Sequence, residues 1–273
     1  MLEKIIYRNH SGEEIKSAEG GIYVNENDLR DHEWSHLESS GKIVEFYRGI
    51  VKKTIPLIVI ADGDAEGVRI KNELLSIAEK DVISVKPGKI IIGDFYMTGY
   101  ITESKKSKYL YSNKYTEYNL KFVSDNPFWI TESTIIYERK SRPETGFLDY
   151  PYDYRYDYTP NLNSVFLENT EVAPCDIKMV IQGPCLNPEI CIGENKHQVM
   201  TELSSYEYIV LNTSERTAYK VSYNGAISNV WGSLNRDYDN FKKVPGGKHI
   251  VTTNGNFKVQ ITAYISRSEP RWI

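Results

Sequence analysis

Ile55-Pro56-Leu57-Ile58-Val59-Ile60-Ala61 is a short apolar run on which the assignment of fold class turns. Seven such residues, rich in Ile and Val and bounded by polar punctuation, read as a sheet strand because they are too few for a core helix. Immediately afterwards Asp64 is placed to cap a helix. Glu66 and Glu73 complement its N-terminal dipole, and Val68, Leu74, Leu75 and Ala78 give it an apolar face up to about Lys80. Pro87-Gly88 then marks a turn into Lys89–Ile101 (KIIIGDFYMTGYI), which is β-branched and aromatic, and Tyr118–Val123 (YNLKFV) alternates apolar with polar. A strand, a helix and a strand can form a parallel crossover, but the surrounding strands are short and hairpin-like. The expectation is one helix packed on an antiparallel sheet, closed by Pro127 and Trp129.

Outward from that unit, the second half reads as all β. Short runs at Asp176–Gly183, Tyr206–Asn212, Ala218–Tyr223, His249–Thr253 and Phe257–Ile265 alternate with turn signals such as Asn224-Gly225, Pro245-Gly246-Gly247 and Asn254-Gly255. Strands at that spacing predict a sandwich or jelly roll. With 273 residues the chain has length for two domains. The division expected is 1–137, a mostly β N-terminal domain with one packed helix, 138–163, a linking arm, and 164–273, a C-terminal β-sandwich.

Composition narrows the function classes. The chain has 40% hydrophobic and 26% charged residues, which suits a folded domain rather than a disordered one. Twenty-one Tyr against 8 Phe and 4 Trp favour pleated, half-wet surfaces and interfaces, where the ring packs and the hydroxyl stays hydrogen-bonded. A net charge of -4, with no basic block, argues against nucleic-acid binding. No segment approaches a membrane span of roughly 18 apolar residues, and Met1–His10 lacks the apolar core of a signal peptide, so a soluble product made in the cytoplasm is expected. Cys175, Cys185 and Cys191 form an odd set without metal-ligand spacing and read as reduced packing thiols.

Between the halves lies Tyr150-Pro151-Tyr152-Asp153-Tyr154-Arg155-Tyr156-Asp157-Tyr158-Thr159-Pro160. Tyr alternating with Asp, Arg and Pro suits an extended arm better than a core strand. Two readings stay open: a linker whose tyrosines lie on the adjacent domains, or an arm that grips a neighbouring subunit. On the second, Tyr152, Tyr154 and Tyr156 are candidate intersubunit contacts.

Two motifs suggest chemistry. His32-Glu33-Trp34-Ser35-His36 matches the zinc-binding HExxH pattern, which places two histidines one helical turn apart. The surrounding Asn25–Ser40 is too polar to be the buried helix that pattern needs, and Ser39 stands where the extended form of the motif has glycine. A surface loop anchored by Trp34 is expected instead. Asp62, Asp64, Glu66, Gly67 and Glu73 fall at the ligand and glycine positions of an EF-hand loop, but they follow a strand rather than a helix, and a helix N-terminus with solvated acids explains them. Serine-nucleophile, phosphate-loop and dinucleotide motifs are absent, so no catalytic or metal residue and no cofactor is assigned.

Several segments in order carry a resemblance. They are Lys42-Ile43-Val44-Glu45-Phe46-Tyr47-Arg48, the helix of Gly67–Lys80, Pro87-Gly88-Lys89-Ile90, Leu120–Trp129 (LKFVSDNPFW), the Asp149–Tyr154 arm, Val180-Ile181-Gln182-Gly183-Pro184, Val244–His249 (VPGGKH) and Tyr264–Trp272 (YISRSEPRW). Together the chain resembles the distal tail proteins of long-tailed bacteriophages and prophages. The resemblance implies a non-catalytic homo-oligomer at the virion tail tip, usually a sixfold ring. First domains would close the ring and galectin-like second sandwiches would project outwards. Its implied partners are the tail tube protein on one side and the tail-associated hub or baseplate protein on the other. The principal rival is a carbohydrate-binding β-sandwich that takes part in host attachment.

Overall fold

A computed structural model describes residues 3–108, 112–138 and 165–272. Its contacts divide the chain into two compact units, Met1–Thr131 with Ser266–Ile273, and Glu132–Ile265. The chain is mostly β, its sheets are antiparallel, and the described residues contain a single α-helix.

The first unit contains β1 (Ile5–Arg8), β2 (Glu14–Lys16), β3 (Ile22–Val24), β4 (Ser35–Ser39), β5 (Lys42–Tyr47), β6 (Val51–Ile60), α1 (Asp64–Ser84), β7 (Gly88–Ile92), β8 (Phe95–Ser107), β9 (Tyr115–Ser124) and the start of β10 (Trp129–Glu138). One sheet runs β2-β1-β7-β8-β10 and the other β3-β6-β9-β8. The long β8 serves both: Phe95–Gly99 pairs with β7, and Tyr100–Ser107 pairs with β9, with a bulge between Ile101 and Glu103. A bulge adds a residue and sharpens the local bend, which lets one strand pass from sheet to sheet. The sheets face one another across a core of Ile5, Tyr7, Ile90 and Met97 on one side and Ile55, Leu57, Val59, Leu120 and Phe122 on the other. Each fully buried side chain of this kind contributes about 1.5–3 kcal/mol. Trp129 is wholly buried where it opens β10, in keeping with its reading as the residue that closes the unit.

Three local readings are corrected. The run Lys89–Ile101 is two strands, split by a hairpin turn in which Gly93 takes φ +57°, so its apolar residues belong to β7 and β8 separately. The helix N-cap is Gly63, with no side-chain cap, and Asp64 is the first helical residue. The helix also sits rotated from expectation. Gly67, Ile70, Leu74, Ile77, Ala78 and Asp81 face inward, while Val68 and Leu75 are exposed. Gly67 decides the rotation: a Cβ there would lie 2.0 Å from the Asn113 carbonyl oxygen, so only glycine lets this side of the helix approach so closely.

The second unit continues with the rest of β10, then β11 (Val165–Asn169), β12 (Asp176–Gln182), β13 (Cys185–Leu186), β14 (Glu189–Ile192), β15 (Asn195–Gln198), β16 (Glu202–Leu203), β17 (Tyr208–Asn212), β18 (Thr217–Val221), β19 (Ile227–Asn229), β20 (Gly247–Thr253) and β21 (Lys258–Arg267). One sheet is ordered β19-β18-β17-β12-β21-β10 and the other β11-β20-β14-β15. Inward residues alternate along β12 (Ile177, Met179, Ile181) and β21 (Val259, Ile261, Ala263), and meet Leu167, Ile190, Ile192 and Val251 of the facing sheet. This is the sandwich that the alternation predicted.

Candidate subunit-interaction site

Among the described residues β4 and β5 pair only with each other, and every residue in both strands is exposed. The turn between them has Ser40 at φ +52° and Gly41 at φ +71°, the two positive values of a type I′ turn, whose twist matches paired strands. A bulge between Leu37 and Glu38 bends the ribbon and sets Ile43 opposite Glu38. An isolated two-stranded ribbon is marginal in water, so this one needs support at its base. There Trp34 packs on Phe128 with ring centroids 5.8 Å apart, and the Arg48 guanidinium lies over both rings, 5.8 Å and 5.0 Å from their centroids. The ribbon carries its apolar residues outward: Val44 is 62% and Phe46 59% exposed, with Leu37, Ile43 and Tyr47 beside them.

Two cations lie at this base and are treated differently. The Lys53 ammonium is buried and donates to the Asp28 carbonyl at 2.8 Å and to that of Asp31, and burial pulls its pKa below the usual lysine value against the pull of both acids. Among the described residues Arg48 has ring contacts but no carboxylate, its Nε and Nη1 are buried without acceptors, and burial alone lowers its pKa.

The hairpin disposes of the zinc motif. His36 lies in β4, where its Nε2 meets Glu38 Oε1 at 3.0 Å, and His32 precedes it outside any helix, so no helical turn brings the two rings together. Trp34 does anchor the segment, as expected, although what it anchors is a hairpin rather than a loop. The EF-hand set is dispersed as well. Asp64 accepts from the Asn113 amide at 3.2 Å, Glu66 from the Asp62 amide at 3.1 Å, and Glu73 pairs with Arg69 at 2.9 Å, each facing a different partner around a helix.

A cluster that sequence reasoning missed has the outline of a hydrolytic triad. Asp81 is fully buried; its Oδ1 lies 2.6 Å from His10 Nδ1, and His10 Nε2 lies 3.2 Å from Ser11 Oγ. A nucleophile also needs free amide donors for the oxyanion. Here the Ser11 and Glu13 amides bind Asn9 Oδ1, and the Gly12 amide binds the Asn9 carbonyl. Asp81 accepts further hydrogen bonds from the Tyr7 hydroxyl and the His10 amide, and so works as a latch joining α1 to β1 and its turn. No periodicity reveals it, because its members are up to 74 residues apart in sequence.

In the second unit a shallow cleft of about 370 Å³ is lined by Gln182, Gly183, Ser205, Tyr206, Glu207 and Tyr208. Tyr206 is 89% exposed at φ +68°, a strained position for an aromatic residue. Glu207 is held by Lys220 at 2.7 Å and by the Ser204 amide at 2.8 Å. The cysteines are free: Cys175 is buried and its thiol is pushed up to about 11, as is that of Cys185. The tyrosine arm, with Tyr152, Tyr154 and Tyr156, lies outside the described residues.

These features define a two-unit, mostly β protein with an exposed apolar hairpin on the first unit and a sandwich as the second. Among solved structures this fold is that of phage Dit hub and baseplate proteins. The SPP1 Dit (gp 19.1) protein, described as a paradigm of the hub adsorption apparatus in phages infecting Gram-positive hosts, aligns with a TM-score of 0.63 at 12% identity, over 98% of this chain and 100% of that one. Chains of the phage P2 baseplate in its activated conformation, with Ca and with Sr, align with a TM-score of 0.63 at 12% and 11% identity, over 99% of this chain and 100% of each. No protein-family model and no curated protein matches the sequence.

Proposed function

We propose that this chain is a structural, non-catalytic component of a phage tail tip, a ring-forming hub that joins the tail tube protein to the tail-associated hub or baseplate protein. The observation that carries this reading is the β4–β5 hairpin, which extends apolar side chains away from the core of its own chain. Exposed apolar surface of this kind marks a surface meant to be covered. A ring covers it economically, since a head-to-tail contact uses two unlike patches per subunit and leaves none over once the rotation closes. The fold shared with hub and baseplate proteins supports the same reading, with six copies as the expected number. On this reading the tyrosine arm adds Tyr152, Tyr154 and Tyr156 to the subunit contacts, and the second sandwich, galectin-like in kind, faces outward. Gold-labelled antibody against the chain, viewed on intact particles by electron microscopy, tests it. Label at the junction of tube and baseplate is expected; label along the tube or on the head would overturn it.

A second reading, saccharide binding by the sandwich, is favoured by one observation. Tyr206 and Tyr208 offer ring faces beside a cleft that also presents Gln182 and Ser205. Cell-wall polysaccharide should be retained by the full chain and lost on Tyr206→Ala; equal retention by both would remove this reading.

A further inference from the structure

The first unit carries a second unpartnered apolar surface. Along the outside of α1, Val68, Leu75 and Val82 are 41%, 45% and 43% exposed, and Ile83 adjoins them at the end of the helix. Their seven-residue spacing aligns them on one side of the helix, since two turns of an α-helix nearly close over seven residues. Glu79 sits within that stripe, four residues after Leu75 and three before Val82, and so shares their face. Its neighbours are engaged, Arg69 with Glu73 and Lys80 with Glu13, whereas the Glu79 carboxylate has no hydrogen bond or ion pair among the described residues.

We propose that the β4–β5 hairpin of one copy lies along the outer stripe of α1 in the next copy, with the Arg48 guanidinium meeting the Glu79 carboxylate. This deepens the ring reading and rests on it. Three observations select a second copy of this chain as the occupant. The hairpin and the stripe are both apolar, both exposed and unlike one another, as a head-to-tail contact requires. Their lengths match: a strand of five or six residues spans roughly 17–20 Å at about 3.3 Å per residue, and the stripe from Val68 to Val82 roughly 21 Å at 1.5 Å per residue. Their charges are opposite, and neither has an ion pair among the described residues: a half-buried guanidinium held on two aromatic faces, and a carboxylate beside apolar residues.

Charge reversal tests this on the full-length chain, with assembly read by mass photometry and folding by thermal melts. Arg48→Glu and Glu79→Arg should each raise the concentration needed for half-assembly about tenfold or more, and combining them should restore assembly to within about threefold of the original chain. Leu75→Lys, at an exposed position on the outer side of the helix, should block assembly with an unchanged melt and guards against misfolding of the Arg48 variant. If the original chain assembles and the single reversals and Leu75→Lys assemble equally well, the hairpin–helix contact is wrong and the ring reading stands. If the single reversals weaken assembly without rescue in the double variant, the Arg48–Glu79 pairing is wrong. A chain that never assembles at any concentration overturns this inference together with the ring reading.

Discussion

Asp81 Oδ2 accepts the Tyr7 hydroxyl at 2.5 Å, and this one contact ties the last turns of α1 to the first strand of the fold. Burial, and then the hydrogen bond to Asp81, raise the Tyr7 pKa well above the ordinary phenol range, so the hydroxyl stays a donor at any physiological pH. Asp81→Ala strands the Tyr7 hydroxyl and the His10 amide without their acceptor. A buried donor left unsatisfied costs about 1–3 kcal/mol, so urea denaturation should show a loss of about 2–4 kcal/mol. Asp81→Asn keeps an acceptor and should lose less.

Gly88 opens β7 directly against that latch. A Cβ at this position would stand 2.3 Å from Asp81 Oδ2 and 2.6 Å from the Tyr7 hydroxyl. Gly88→Ala should therefore cost about 1–3 kcal/mol through overpacking, measured as a lower urea midpoint at unchanged slope. A midpoint equal to that of the original chain would show the latch to be loose.

His197 in the second sandwich gives stability a pH dependence. Its Nδ1 hydrogen donates to the Asn240 carbonyl at 2.9 Å, its Nε2 has no partner, and burial lowers its pKa. The native state therefore holds fewer protons than the unfolded one near the ordinary histidine value of about 6.5, and stability rises with pH there. This contribution is complete above that value and is lost as pH falls through it toward the lowered native pKa. Thermal melts from pH 8 to pH 5 should fall more steeply for the original chain than for His197→Gln; parallel curves would contradict the assignment.

Cys175 should resist thiol reagents in the native protein at pH 7. It is buried, and a thiol held at about 11 is ionised to only about one part in ten thousand at that pH. Its labelling should match the rate of global unfolding, while Cys185 and Cys191, half-buried, should label faster. Equal rates at all three positions would mean that the sandwich opens readily at its Cys175 edge.

The sequence announces strands well where burial imposes alternation. β12, β20 and β21 fall close to their predicted runs, because one face of each lies against a continuous core. The hairpin at Ser35–Tyr47 escapes the same reasoning: with neither face buried by its own chain, its Ser, His and Glu residues look like a loop, and only Ser40-Gly41 marks the turn. The helix is legible and its rotation is not, since Val68 and Leu75 are as apolar as Ile70 and Leu74 and only the close approach at Gly67 decides between the faces. The Asp81 latch is invisible for a different reason, being a tertiary contact between residues that carry no local pattern. The apolar residues that disguise the helix's rotation are the same ones that leave a stripe uncovered on its outer side.

The proposed function requires that these sheets work through surface complementarity between copies of one chain. Native mass spectrometry of the purified full-length protein tests that most directly. A closed assembly of about 190 kDa, six copies of a 31.4 kDa chain, that dissociates when the hairpin residues Ile43, Val44 and Phe46 are all changed to Ser is the predicted result. A single species at 31.4 kDa at every concentration, unaltered by those changes, would contradict it.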